Sequence, residues 1–291
     1  MTGGDLSLKT AAESAGSRRR FSLVRNRAAV GALVAVVVIV AIAVLAPLLA
    51  PYDPDATDFN AVLLAPSGQY LLGTDDLGRD VLSRTIYGLR ASVQIGLIAV
   101  LAATALGVVL GLLAGFYRKV DLFVSRLVDV TLAFPHLVTA VGLAAILGAS
   151  GLNAAIAIAI SQLPGMVRVA RSETLRLRGM DYAAAATVTG ARDSRILFRH
   201  ILPNSASALL VQISVSIPAA ILGEALLSFL GLGVQPPAPS LGVMLATGQS
   251  FLQVAWWMPV FPGIAIVAIT LAFNLTGDVL RDALDPRSVS R

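Results

Sequence analysis

The sequence predicts an all-α membrane protein with six membrane-crossing helices and both termini on the cytoplasmic side. Three observations carry this. Of its 291 residues, 56% are hydrophobic and only 13% are Asp, Glu, Lys or Arg, a balance outside the range of ordinary soluble domains. The apolar residues fall in six runs, each about the length needed to cross a bilayer. Lys and Arg gather in alternate segments between those runs, and positive charge accumulates on the cytoplasmic side.

In chain order, residues 1–27 are polar and carry Lys9, Arg18, Arg19, Arg20, Arg25 and Arg27, which reads as a cytoplasmic tail. Residues 28–50 form the first crossing. The run exceeds the roughly 7–15 apolar residues of a cleaved signal peptide, so it is read as an uncleaved helix. Residues 51–90 are polar and rich in turn formers, an extracytoplasmic segment. The second crossing spans 91–116, followed by a short charged return over 117–126. Residues 128–149 and 154–170 read as the third and fourth crossings, joined by the tight turn Ser150, Gly151, Leu152, Asn153. The fifth is 205–230. Residues 231–257 hold no Lys or Arg, and 258–280 make the sixth crossing before a cytoplasmic tail over 281–291. The core domain is thus 91–280, interrupted by a cytoplasmic loop over 171–204.

The segments expected outside the cell hold only Arg79, Arg84 and Arg90. The net charge of +5 therefore expresses topology and lipid contact rather than nucleic-acid binding. Cysteine is absent and the two histidines, His136 and His200, are far apart. That excludes a disulfide framework, a thiol nucleophile and a cysteine metal site, and it disfavours a histidine cluster.

The stretch from Asp181 to Asn204 is too long and regular for a connector, since connections in compact folds usually take about 2–8 residues. Tyr182 to Val188 is Ala-rich and predicts a short helix whose small side chains allow close approach by another protein. Gly190 sits where a helix end favours a left-handed residue. Asp193 or Ser194 is then placed to cap a second helix. On that helix Arg192, Arg195 and Arg199 share one face, and Ile196, Leu197 and Ile201 share another. Pro203 is expected to stop it, leaving Asn204 to cap the next. The whole reads as a docking element on the membrane surface; a plainer reading is an amphipathic helix that only anchors the chain.

This stretch resembles the cytoplasmic EAA loop of ABC-importer permeases: Glu-Ala-Ala, three residues, Gly, nine residues, then Ile-x-Leu-Pro. Ala185, Ala186, Gly190, Leu202 and Pro203 match; Ala184 stands for the motif's Glu and His200 for its Ile. Two further stretches, LAPLLAPYDPDA through LLGTDDLGRDVLSRTIYGLRASVQIGL and EALLSFLGLGVQPPAPSLGVML, are similar to the subfamily that imports di- and oligopeptides and sometimes nickel, specifically its C-type subunit. The resemblance covers nearly everything after residue 28 and implies the ABC type I importer permease fold. It further implies a second permease subunit, two ATPase subunits holding ATP and Mg, an extracytoplasmic substrate-binding protein and a peptide substrate, with Tyr182, Ala184, Ala185, Ala186, Gly190, His200, Leu202 and Pro203 at the ATPase contact. No G-x-x-x-x-G-K-[ST] surrounds Lys9 or Lys119, so this chain has no phosphate loop and is expected to hold no cofactor and catalyse no reaction itself. Two alternatives stay open: nickel as substrate, and a secondary transporter or channel subunit that works without ATP.

The substrate path is less legible. Gln212, Ser216, Glu224 and Ser228 recur at multiples of four along the fifth crossing, with Ala220 at the missing step and a drift of about 40° per step. A carboxylate within a span usually faces a cavity or a partner. Gln212, Ser216 and Glu224 are therefore candidate path residues, with a buried hydrogen bond to the partner permease and a headgroup-level position as alternatives for Glu224. Asp121, Arg126 and Asp129 are expected to make electrostatic contacts with one another. Trp256 and Trp257 suit an interfacial aromatic belt. The segment Gly73 to Asp80 predicts a folded extracytoplasmic cap rather than a calcium loop, whose D-x-D-x-D-G spacing it lacks.

Overall fold

The computed structural model describes residues 27–284, apart from the side chains of Arg27, Ala28, Ala184 and Thr187. Residues 1–26 of the tail expected over 1–27 and residues 285–291 of the tail expected over 281–291 lie outside the described residues. Among the described residues eleven α-helices follow one another: α1 Arg27–Val44, α2 Ala46–Leu49, α3 Val81–Phe116, α4 Arg118–Leu132, α5 His136–Leu147, α6 Gly151–Arg178, α7 Asp181–Val188, α8 Asp193–Arg195, α9 Leu202–Phe229, α10 Leu241–Gln249 and α11 Trp257–Leu284. A π-helical turn, Ile196–Ile201, joins α8 to α9. The described residues contain no strand, only an isolated bridge between Thr74 and Asp80. Among the described residues four helical runs are long and apolar enough to cross a membrane: α3, α6, the run Asp193–Phe229 and α11. α4 and α5 qualify only as a pair bent by 93°, and α1 is a shorter apolar helix.

Capping fixes where the long helices begin. The Asp80 carboxylate accepts from Ser83 N at 2.8 Å, so α3 starts at Val81, ten residues before the expected position. Ser150 Oγ accepts from Asn153 N at 3.1 Å, and α6 starts at Gly151 instead of 154. The Asn153 amide reaches back to the carbonyls of Leu147 and Gly148 at 2.8 and 2.9 Å, closing the end of α5.

Small residues set the central contact. On α3, Gly107, Gly111 and Gly115 face Met166, Ala170 and Thr174 of α6; a Cβ on the glycines would lie 2.7, 2.5 and 2.5 Å from those side chains' Cβ atoms. Both series ascend in steps of four, so the two helices run parallel with backbones in close approach. Parallel neighbours need a return across the layer, and α4 with α5 makes it. α5 has 12 residues, about 18 Å, less than the roughly 30 Å of a bilayer core. The stretch 128–149, expected as the third crossing, is therefore part of a bent pair. Its break comes at residues 133–135, where Pro135 disfavours helical backbone at the residue before it.

The expected contacts among Asp121, Arg126 and Asp129 are corrected as well. Asp121 accepts from Arg171 of α6 through Nη2 at 2.8 Å and through Nε, while Asp129 lies 4.0 Å from Arg168. Five residues along a helix place Asp121 and Arg126 on different faces; the partner comes from the helix packed alongside.

α9 runs antiparallel to α6. A Cβ at Gly165 would lie 3.7 Å from Gln212 Nε2, and one at Gly223 3.7 Å from Ile158 Cγ1. Ala29, Val30 and Leu33 of α1 share a cleft with Thr276, Val279, Leu280 and Ala283 of α11. The start of α1 and the end of α11 therefore share the end of the bundle that carries α7. At the opposite end, residues 51–80 and 231–257 interlock. Asp75 accepts from Leu77 N and Arg79 N, each at 2.9 Å, and from Arg79 Nε at 2.7 Å. Arg84 donates to the carbonyls of Pro54 at 2.7 Å and Pro237 at 3.3 Å. Trp257 is buried rather than part of an aromatic belt, its Nε1 donating to Thr74 O at 3.0 Å; Trp256 stays exposed.

Candidate functional site

The 181–204 stretch folds at the end of the bundle, built on the termini of α3 and α6. Ala183 and Ala186 turn inward, and Ala186 joins Leu112, Leu177, Ile196, Leu197 and Ile201 in an apolar cluster. Tyr182 and Ala185 face outward with Val188, which is 89% exposed. The result is a short helix seated on a hydrophobic base, with Tyr182, Ala185 and Val188 on its outer face. Arg178 braces that base: its Nη1 donates to Phe116 O at 2.7 Å and its guanidinium lies 5.2 Å from the centre of the Phe116 ring.

The turn after α7 follows from Gly190, whose φ is +77°. Ala191 N donates to Ala186 O at 3.0 Å, the six-to-one bond of a Schellman ending. No atom lies within 4 Å of where a Gly190 Cβ would sit, so backbone conformation, not space, demands glycine.

Beyond Gly190 the chain departs from expectation. The residue before the next helix is Arg192, and neither Asp193 nor Ser194 caps it. The Asp193 carboxylate instead accepts from Tyr117 Oη at 3.0 Å, and that bond raises the phenol's pKa above its ordinary value. Pro203 does not stop the helix: Asp193 through Phe229 is one continuous run. The ring of a helical proline collides with the carbonyl four residues earlier, here Arg199, and the π-helical turn over Ile196–Ile201 widens the backbone at that point. Asn204 is no cap either; its Nδ2 donates to His200 O at 2.6 Å. His200 is half-buried with its ring 6.5 Å from that of Tyr182, Leu202 is half-buried, and Pro203 is exposed. Arg192, Arg195 and Arg199 do share a face, around an open hollow of about 620 Å³ with Phe198. The apolar cluster thus joins α7 to the helical run that continues into α9.

The three path candidates do not form one lining. Gln212 and Ser216 are half-buried one turn apart, with Gln212 Nε2 donating to Ser216 Oγ at 3.4 Å. Glu224 is 0% exposed. Its Oε1 accepts from Ser228 at 2.7 Å and Ser240 at 3.0 Å, and its Oε2 accepts from Ser92. Glu224, expected to line the path, is enclosed within this chain, where it ties α3 and α9 to the start of α10 through three hydroxyls. The lone pairs of Ser228 and Ser240 are engaged by Val234 N and Gly242 N, which turns both hydroxyl protons toward the carboxylate. Sequence reading missed Ser92 and Ser240. Ser240 was detectable as a cap, standing between a proline-rich turn and an apolar helix; nothing in the sequence pairs Ser92 with Glu224.

Comparison with known proteins places this geometry. Residues 107–290 match the family described as binding-protein-dependent transport system inner membrane component, and residues 16–66 match the N-terminal transmembrane domain of oligopeptide transport permease C. The chain is 44% identical to the dipeptide transport system permease protein DppC of Haemophilus influenzae, over 92% of this chain and 93% of that one. It is 47% identical to the protein of the same name from Escherichia coli K12, over 90% of each. The di/tripeptide transport system permease protein DppC of Pseudomonas aeruginosa is 45% identical over 91% of this chain and 90% of its own. Among solved structures, the inward-facing MetNI methionine ABC transporter shares the fold, with a TM-score of 0.56 at 16% identity, covering 70% of this chain and 96% of that one. The chain belongs to the family of binding-protein-dependent transport inner membrane components, as a permease of the oligopeptide C type.

Proposed function

We propose that this chain is one of two permease subunits of an ATP-driven peptide importer in the bacterial inner membrane, and that it couples to a separate ATPase through α7. The relatives' names supply the peptide class and the family supplies the transport role. The observation that carries the coupling role is α7 itself: an exposed Tyr182–Ala185–Val188 face, a Schellman turn at Gly190, and an apolar base shared with the ends of α3 and α6. In this reading Tyr182, Ala184, Ala185, Ala186, Gly190, His200, Leu202 and Pro203 make or support the ATPase contact. Gln212 and Ser216 face the translocation path between the two permeases.

Six crossings result when α1 with α2 counts as one and the α4–α5 pair as another. The charge distribution supports a cytoplasmic position for both termini and α7, with residues 51–80 and 231–257 outside, where an extracytoplasmic binding protein docks. The other partners are a second permease and two ATPases that bind ATP and Mg. Closure of the ATPases drives α7 and α9 as one body and switches the bundle from inward-open to outward-open.

The test is purification of the complex through a tag on this chain, then reconstitution into vesicles with its binding protein. ATP-dependent uptake of a labelled dipeptide is expected. Uptake that persists without ATP would overturn the reading, and uptake of nickel in place of peptide would change the substrate.

A further inference from the structure

We infer that the groove between α6, α9 and the end of α11 is an exit-side subsite for the charged termini of a short zwitterionic peptide. Glu173 receives the α-ammonium and Arg281 the α-carboxylate. The inference rests on the peptide-importer reading above and deepens it.

The groove holds about 450 Å³, within the roughly 300–1,000 Å³ common for small-ligand sites. Its walls place both signs of charge beside neutral polar and apolar groups: Glu173 and Arg176 on α6, Ser207, Val211 and Gln212 on α9, Arg281 on α11. Glu173 is the more covered member of its ion pair, with its side chain 20% exposed against 51% for Arg176. Both nitrogens that Arg176 offers, Nε at 3.1 Å and Nη2 at 2.6 Å, go to the same oxygen, Oε2. Oε1 has no hydrogen-bond partner among the described residues. Arg281 has no ion pair among them either. A free dipeptide supplies the complement to both, an ammonium with three donors and a carboxylate able to take a guanidinium in bidentate fashion.

The interior continues the polar surface. Gln212 lies beside Gly165 of α6 and donates to Ser216, and one helical turn before Gly165 the Oε1 of Gln162 is buried without a hydrogen-bond partner. The α6–α9 seam thus carries amide and hydroxyl groups from its middle down to the charged groove. Neutral hydrogen-bonding groups suit a peptide backbone of any sequence; the two charges read only its ends. Side-chain identity is left unread, as a path for varied peptides requires.

The experiment uses the reconstituted complex with ATPase sites outside, so that the cytoplasmic face meets the bath. Binding protein and labelled dipeptide are enclosed in the vesicles, free dialanine, N-acetyl-dialanine and dialanine amide are added to the bath, and ATP-driven transport of the label from lumen to bath is followed. The free dipeptide is expected to slow transport, with both blocked analogues at least tenfold weaker. Arg281→Gln should weaken inhibition by free dialanine about tenfold, Arg281→Lys should restore part of it, and Glu173→Gln should erase the advantage of free over acetylated peptide. Equal inhibition by all three compounds, or none by any while transport proceeds, overturns the subsite. Loss of the second permease on purifying Arg281→Gln would show the groove to be a subunit interface and also overturns it. Absence of ATP-driven peptide transport by the unmodified complex would instead refute the importer reading.

Discussion

Gly111 on α3 lies so close to Ala170 on α6 that a Cβ on the glycine would come within 2.5 Å of the alanine methyl. Its neighbours Gly107 and Gly115 repeat the contact a turn to either side. Gly111→Val therefore forces the two central helices apart, and overpacking of this kind costs about 1–3 kcal/mol. A lower thermal midpoint of the purified permease in detergent is expected, with Gly111→Ala intermediate. Substitution at Gly142, where a Cβ meets nothing within 4 Å, should leave it unchanged.

Gly190 presents the opposite case. Its surroundings are open and only its φ of +77° restricts the residue. A side chain in that conformation costs roughly 1–2 kcal/mol, more for a branched one. Gly190→Val should disturb the turn after α7 while the bundle stays folded: the thermal midpoint holds, and substrate-stimulated ATP hydrolysis by the complex falls severalfold. Gly190→Asn, which tolerates the left-handed region, should retain most of it.

For Glu224 the expected effect is on stability. Three hydroxyls point at its carboxylate, and two of them are held in that direction by backbone N–H groups. Glu224→Gln turns an NH₂ toward at least one donor and should cost about 1–3 kcal/mol. Ser92→Ala should cost less. Both are read from thermal unfolding of the detergent-solubilised protein. Unchanged unfolding together with altered transport would return Glu224 to the path.

Trp257→Phe tests the outer cap. The change removes the donor to Thr74 O and leaves a buried carbonyl unsatisfied, at roughly 1 kcal/mol. Residues 51–80 should then become more sensitive to protease while the helices beyond them are spared.

Most of the fold is legible in the sequence because apolar runs, charge placement and helix punctuation are local signals. The Gly190 turn, the inward Ile196, Leu197 and Ile201, and the short helix before them all follow from neighbours in sequence. The misreadings share another origin. Pro203 breaks a helix by local rules, yet the chain continues through it because the preceding turn widens and α9 is held by α6 and α11. Glu224 reads as a path residue in sequence because its partners Ser92 and Ser240 lie 132 and 16 residues away. Asp121 finds Arg171 at a separation of 50 residues. Such pairings are set by which helices pack together, and the Gly107, Gly111, Gly115 contact that decides it reads in sequence only as three glycines in an apolar run.

The central claim, that α7 meets a separate ATPase in the cytoplasm, is tested most directly at Val188. The chain has no cysteine, so Val188→Cys introduces a single thiol on a side chain that is 89% exposed. In native membranes that thiol should react only with reagents that reach the cytoplasmic face, and a thiol cross-linker should join it to an ATP-binding subunit, with a yield that changes when ATP is bound. Labelling from outside the cell, or a complex active in ATP-driven uptake whose introduced thiol never cross-links to an ATPase, would contradict the account.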